Sequence, residues 1–225
     1  MCGRFDNHVA SMHGWTSILQ DWSEFTDHAL SHNVAPTTFV PVLQGVASES
    51  TSRVVPMRWG MIPHWSNAFS SSYATFNARL ESVADKPTFK HAWQSRQFCA
   101  VPMAGYYEWI RSGTSASKQP VYVSDPNLGG LVAAGLYEVW GDQQLSMTIL
   151  TKPAEGSLNA IHPRMPILLS PESAAHWLNG NESLPIDVTS WLGELPCPDV
   201  VFWPVSKAVG NVANDNPELI KAIDQ

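Results

Sequence analysis

Apolar residues recur along this chain in two periods, and the two predict different elements. Trp15, Ile18, Leu19 and Trp22 fall at i, i+3, i+4 and i+7, which places them on one helical face and predicts a core helix over residues 12–30. Elsewhere the apolar stretches are short, rich in Val, Ile, Tyr and Trp, and bounded by Gly, Pro, Asn or Ser. Such stretches predict strands at 39–43 and 53–59, two short runs between 97 and 110 around Pro102 and Gly105, and further strands at 121–124, 131–140, 145–151 and 200–205. The runs from 121 to 151 fit an antiparallel meander. A short helix is expected at 154–161. Another opens at Ser170 as N-cap, with Pro171 at the first helical position and Glu172 in the first turn, and closes at Gly180; Asn216-Pro217-Glu218 begins a last one. Strands outnumber helices, so the expected class is α+β, mainly antiparallel β, with a curled, partly closed sheet. Two aromatic residues, Trp59 and Trp65, bracket a Gly- and Pro-punctuated turn, as either a packed corner or a stacking wedge.

The length of 225 residues, with no linker or internal repeat, fits a single domain over 1–225. No apolar run reaches eighteen residues and no basic leader precedes an apolar stretch, so neither a membrane span nor a secretory signal is expected and the protein is assigned to the cell interior. Cys2, Cys99 and Cys197 are odd in number and far apart, and no Cys-x-x-Cys or His-x-x-x-His pair is read as offering a metal site. A disulfide framework, a metal site or a bound cofactor is therefore not expected. The net charge of −7 argues against indiscriminate polyanion binding, because Lys and Arg supply nearly all non-specific affinity for nucleic acid.

Five polar features stand out. Removal of Met1 would leave Cys2 with a free α-amine, of reference pKa ~7.7–8.0, and a thiol on the adjacent carbon. Such a 1,2-aminothiol condenses with an aldehyde to an imine, on which the thiol closes a five-membered thiazolidine; taken alone, Cys2 reads first as an ordinary residue at a frayed terminus, and the rest of the chain must argue against that. Asn77 and Arg79 lie two apart and share a side if the segment is extended. Glu108 sits among Tyr106, Tyr107 and Trp109, either surface-facing on an edge strand or desolvated as a general acid or base. His162 and Arg164 are framed by Pro163 and Pro166. In the Ser206–Asn211 stretch, Ser206 and Lys207 are placed either to approach an anion or simply to leave a strand.

Taken together, Cys2-Gly3-Arg4-Phe5, Asn33-Val34-Ala35-Pro36, Arg58 to Pro63 with Trp65, Asn77-Ala78-Arg79 with Glu81, Tyr107-Glu108-Trp109, His162 to Pro166, and Val205-Ser206 with Val209-Gly210-Asn211 make the sequence resemble the SOS-response-associated peptidase (SRAP) family of abasic-site processing proteins, nearly end to end. The resemblance implies a distorted, barrel-like β core with peripheral helices and a groove for single-stranded or junction DNA. It implies a covalent sensor that traps the ring-opened aldehyde of an abasic site, through lyase-type Schiff-base chemistry and a thiazolidine. In that scheme Cys2 is the nucleophile, Asn77 positions the amino terminus or sugar, Glu108 shuttles protons and His162 assists Schiff-base formation and ring opening. Arg4, Arg79 and Arg164 would meet phosphates, and Asn33, Pro36, Trp65, Trp109, Ser206 and Lys207 would line the groove. The expected protein is a cofactor-free monomer. Two other readings use the same residues: an N-terminal-nucleophile cysteine peptidase or hydrolase, and a non-covalent DNA-binding module.

Overall fold

The computed structural model describes residues 2–20, 22, 30–45, 52–111, 118–179 and 184–223. Among them are twelve strands and three α-helices, with short 3₁₀ turns between. Five strands, β2 (Phe39–Gly45), β3 (Ser52–Trp59), β5 (Phe98–Met103), β8 (Leu131–Trp140) and β9 (Gln144–Pro153), close on themselves in the order β9-β3-β2-β5-β8-β9. The α+β, barrel-cored class expected from the sequence is the class observed. Its pairings are antiparallel except where β9 meets β3 and β4 (Asn77–Arg79), both parallel; the two parallel pairings were not foreseen.

Period-2 alternation sorts the barrel side chains onto two faces. Val40, Val42, Met57, Trp59, Cys99, Val101, Ala133, Met147 and Ile149, drawn from all five strands, form one apolar cluster. Leu43, Phe98, Ala100, Val132, Ala134, Leu136 and Leu150 point the other way. There they are covered by α1 (Pro87–Gln94), α2 (Pro171–Leu178) and α3 (Val188–Glu194) through Ala92, Trp177 and Leu192. β5 is buried throughout and β2, β8 and β9 over most of their lengths, so these four read as near-continuous apolar runs, whereas β3 buries only Met57 and Trp59.

A second sheet, in the order β1-β6-β7-β12, joins β1 (Arg4–Asp6), β6 (Gly105–Arg111), β7 (Lys118–Ser124) and β12 (Val201–Pro204). It lays Phe5, Tyr106, Val121 and Val123 against the barrel cluster. On its other face Tyr107, Tyr122, Val205, Val209 and Leu219 form a separate core.

The helices follow the start signals unevenly. The side chain of Ser170 accepts from the Ser173 N–H and the Ser173 side chain closes a reciprocal capping box, so α2 starts at Pro171 as expected; Gly180 lies outside the described residues. The expected helix over 12–30 is corrected for its described part. Residues 9–11 and 13–15 are single 3₁₀ turns, and the Trp15 carbonyl accepts from both Ile18 and Leu19. Trp15 and Trp22 are nevertheless buried with Ile18 and Leu19 against them, so the apolar spacing marked the core while the backbone took tighter turns; residues 21 and 23–29 lie outside the description. The elements expected at 154–161 and after Asn216 are likewise 3₁₀ turns, Gly156–Ala160 and Pro217–Ile220. Helix α1 was not foreseen; its N-cap, Lys86, makes no side-chain cap. No helix among the described residues is long and apolar enough to cross a membrane.

Candidate functional site

The two sheets meet at Cys2. Strand β1 runs antiparallel to β6, with Arg4 opposite Tyr107 and Phe5 opposite Tyr106, which brings the residues ahead of Arg4 alongside Glu108 and Trp109. Cys2 is 0% exposed and belongs to the apolar cluster that includes Tyr106, Ile161 and Met165. From the barrel side, β4 presents Asn77, whose Nδ2 donates to the Cys2 carbonyl at 2.7 Å. The Oδ1 of the same carboxamide is buried with no hydrogen-bond partner. Most buried polar atoms are paired, and an unfilled acceptor costs about 1–3 kcal/mol. The Cys2 thiol is also weakly engaged, its Sγ 3.9 Å from the Arg4 carbonyl. Burial pushes this thiol well above its ordinary value, and the Glu108 carboxylate raises it further.

Glu108 is 6% exposed on β6, which lies between β1 and β7. Of the two environments the sequence allowed, the buried one is observed. Glu108 Oε1 accepts the Trp109 N–H at 3.2 Å. The aromatic surround is only half of what was expected. Tyr106 shares the Glu108 face, and burial together with Cys2 and Glu108 raises its phenol, whereas Tyr107 and Trp109 alternate onto the opposite face and pack with Val205 and Val209.

His162 follows the 3₁₀ turn Gly156–Ala160 and precedes β10 (Arg164–Pro166), which pairs with the end of β9. Its Nδ1 lies 3.0 Å from both the N–H and the carbonyl of Arg164, fixing the ring through one nitrogen. The flanking Ile161 and Met165 belong to the apolar cluster that holds Cys2. Strand β9 organises this half of the site: Asn77 and Arg79 on β4 face Ile149 and Thr151, and β10 meets the next residues, from Thr151 to Pro153.

The expected DNA contacts fall into two groups. Arg79 and Lys207 are exposed, as is Trp65 at 59%, so the two tryptophans divide the alternatives: Trp59 is the packed corner and Trp65 the projecting ring. On β4 the alternation holds, with Ala78 buried between Asn77 and an exposed Arg79. The others are buried or half-buried. The Arg4 guanidinium donates to Asn33 Oδ1 at 2.7 Å, the Val209 carbonyl at 3.0 Å and the Gly210 carbonyl at 3.3 Å. Asn33 is buried, and its Nδ2 faces the carbonyls of Val209, Asn211 and Asn214. Arg164 grips both carboxylate oxygens of Glu81 and donates to the Thr151 carbonyl at 2.6 Å. Ser206 caps the 3₁₀ turn Lys207–Gly210, and Trp109 is half-buried. Pro36 precedes Thr37, held at φ 80° by its N–H donating to the Trp59 carbonyl at 2.7 Å. Two residues of the site went unassigned from sequence. Glu81 holds Arg164, and Tyr106 shares the Cys2–Glu108 face; the alternation from Glu108 was the available signal for Tyr106.

The fold is a strand-rich α+β barrel with a buried near-terminal cysteine at its junction with a second sheet, and comparison with known proteins identifies the family. The family described as "SOS response associated peptidase (SRAP)" matches residues 1–212, and the chain belongs to that family. It is 32% identical over 228 residues to the abasic site processing protein YoqW of Bacillus subtilis, covering 99% of this chain and 100% of that one. To the abasic site processing protein HMCES of Xenopus tropicalis it is 30% identical over 225 residues, covering 86% and 66%. A crystal structure of a protein from Bacteroides thetaiotaomicron superposes with a TM-score of 0.70 over 99% of this chain and 97% of that one, at 24% identity, and shows the same fold.

Proposed function

We propose that the protein processes abasic sites in DNA by trapping them covalently: after loss of Met1, the Cys2 aminothiol captures the aldehyde of an abasic site in single-stranded DNA as a thiazolidine. The observation that carries this reading is the Asn77 carboxamide, which holds the Cys2 carbonyl through Nδ2 and leaves Oδ1 unfilled beside it. The α-amine of a mature Cys2 is attached to the same Cα as that carbonyl, so one carboxamide can orient both. The abasic-site processing named for the relatives supports the substrate class.

The chemistry balances as a condensation. The amine nitrogen adds to the aldehyde carbon, and the carbinolamine loses its hydroxyl as water to give the imine. The thiol then adds across the C=N bond, its proton ending on nitrogen, so the adduct weighs the sum of the reactants less one water. Glu108, buried beside Cys2, accepts a proton from the amine and returns one to the departing hydroxyl. His162, anchored through Nδ1, keeps Nε2 to protonate the sugar ring oxygen as the ring opens. Arg79 and Trp65 meet the strand at its phosphates and bases. A cysteine hydrolase would need an activated thiolate, and burial and Glu108 both act against one at Cys2.

The test is intact mass spectrometry of the purified chain mixed with a single-stranded oligonucleotide carrying one abasic site, alongside a denaturing gel. The expected product is a detergent-stable adduct lacking Met1, at a mass one water below the sum. Glu108→Gln should slow its formation by about 10²-fold or more, and His162→Ala should lower Schiff-base yield and slow release from purified adduct. A chain that binds the oligonucleotide but leaves no covalent adduct, or that turns over a peptide instead, overturns the proposal.

A further inference from the structure

Away from Cys2, one buried carboxylate is shared by two imidazoles. Glu138 on β8 has a side chain 1% exposed. Its Oε1 accepts the Val139 N–H at 3.1 Å, and the Gln97 amide, oriented with its nitrogen inward, donates to the same oxygen at 3.0 Å. Its Oε2 receives Nδ1 of His91, on α1, at 2.9 Å and Nδ1 of His64, in the turn after β3, at 3.3 Å. Donor atoms from three separate elements thus lie within 4.8 Å of one another. The spacings 64, 91 and 138 match no short ligand motif, so a scan for Cys-x-x-Cys or His-x-x-x-His passes over them.

Hydrogen bonding alone accounts for the contacts only if both rings carry their proton on Nδ1 and aim it at one oxygen. Metal coordination accounts for them without that coincidence. With arms of about 2.0–2.1 Å to nitrogen and oxygen, the ligand-to-ligand edge of a tetrahedral site is roughly 3.3 Å, against the observed 2.9 and 3.3 Å. The rings are tilted by 49° at a centroid distance of 4.1 Å and do not stack in parallel. The surroundings suit ligation as well. Oε1 is held by the Val139 amide, and His91 Nε2 lies 3.5 Å from Ser95 Oγ, which leaves Nδ1 and Oε2 to face inward. Both imidazoles are about half exposed, at 45% and 46%, giving an ion a path in and room for water to complete its shell.

A second cluster sets the contrast. Asp6 is met by His8 and His32, but on different oxygens: His8 Nδ1 and N–H on Oδ1 at 2.9 and 2.8 Å, and His32 Nδ1 and the Tyr122 hydroxyl on Oδ2 at 3.0 and 3.4 Å. Its two rings stack at 3.7 Å and 13°, so their nitrogens point alongside one another. Asp6 thus divides its two imidazoles between two oxygens, whereas Glu138 brings both to one.

We propose that His64, His91 and Glu138 bind one divalent transition-metal ion of the Zn²⁺ class. Borderline imidazole and carboxylate donors select such ions over Mg²⁺ or Ca²⁺, which prefer all-oxygen shells. The ion would pin the His64 turn, with the exposed Trp65 beside it, to α1 and β8.

Titration of the full-length, metal-stripped chain with Co²⁺ and with Zn²⁺ tests this. The expected result is one ion per chain, with the visible d–d bands of cobalt in a low-coordinate nitrogen/oxygen site and no near-ultraviolet thiolate charge-transfer band. His64→Ala and His91→Ala, both at half-exposed positions, should each weaken binding by more than about 100-fold, beyond what loss of an outer hydrogen bond costs, with circular dichroism unchanged. His8→Ala should bind as the wild type does. The proposal is overturned by no binding at millimolar Co²⁺, by affinity unchanged in His91→Ala, by loss of the site in His8→Ala, or by a charge-transfer band that disappears with Cys2→Ser.

Discussion

Two buried polar networks begin two residues apart on the same N-terminal segment, and they are built to opposite ends. At Arg4 the two terminal guanidinium nitrogens, Asn33 and the carbonyls of Val209, Gly210, Asn211 and Asn214 close a network joining the first strand to the C-terminal turns. At Cys2 valences are left over, with Asn77 Oδ1 unpartnered and the thiol 3.9 Å from its nearest acceptor. Arg96 Nη1, Thr148 Oγ1 and Arg164 Nε are also buried without a partner, so what sets Asn77 apart is that its other atom holds the Cys2 carbonyl. A saturated buried network fixes geometry, whereas an unsaturated one holds stabilisation in reserve for a bound group.

The sharpest break in that comparison comes at the N-terminus. A variant that retains any residue ahead of Cys2 has no 1,2-aminothiol, and no detergent-stable adduct with abasic single-stranded DNA should form at any time point on a denaturing gel. If such a chain cross-links as fast as the mature one, the thiazolidine is wrong.

Next in size, Asn33→Ala and Asn77→Ala should move different quantities. Loss of the Asn33 amide takes one acceptor from the Arg4 guanidinium and one donor from each of three carbonyls, and should lower stability by about 2–3 kcal/mol in chemical denaturation. Asn77→Ala removes one hydrogen bond together with an unfilled acceptor. Its stability should change by no more than about 1 kcal/mol, while adduct formation slows by about 10–10²-fold through lost orientation. Equal stability losses in the two variants would erase the distinction between the networks.

A smaller effect separates the arginines. Arg79 is exposed on β4 and makes no side-chain hydrogen bond among the described residues, so Arg79→Ala should leave stability within about 0.5 kcal/mol. Non-covalent affinity for single-stranded DNA should fall, with the salt slope reduced by about 1. Arg4→Ala should do the reverse, costing stability and leaving the slope alone. Even the wild-type slope should be shallow, given thirteen Lys and Arg in a chain of net charge −7.

The least effect belongs to Glu81. The hydrogen bonds from Arg164 hold its carboxyl below the ordinary value. A carboxylate depressed in the folded state contributes stability that is complete above its unfolded pKa, ~4.3, and is lost as pH falls through the folded value. Half-exposed and screened, the pair is worth no more than about 1 kcal/mol. Glu81→Gln should flatten that part of the acid limb of a stability–pH curve and leave neutral pH nearly unchanged.

Short-range chemistry was legible in the chain. The apolar runs located the barrel strands because most of them are buried on both faces, Ser170 announced its helix, and the alternation of Asn77, Ala78 and Arg79 survives in β4. The same logic misjudged residues 12–30, where four correctly spaced apolar side chains reach the core from 3₁₀ turns, since spacing reports which residues are buried and not the hydrogen-bond ladder between them. The residue types of the site were visible too, in Cys2, Asn77, Glu108 and His162. Only the tertiary structure decided that Glu108 faces Cys2 while Tyr107 and Trp109 face away, that Asn77 reaches the Cys2 carbonyl across two sheets, that Arg4 and Arg164 are already partnered, and that His64, His91 and Glu138 converge. Those facts depend on strand closure and on parallel pairing between β4 and β9, contacts over seventy or more residues whose register no local pattern encodes.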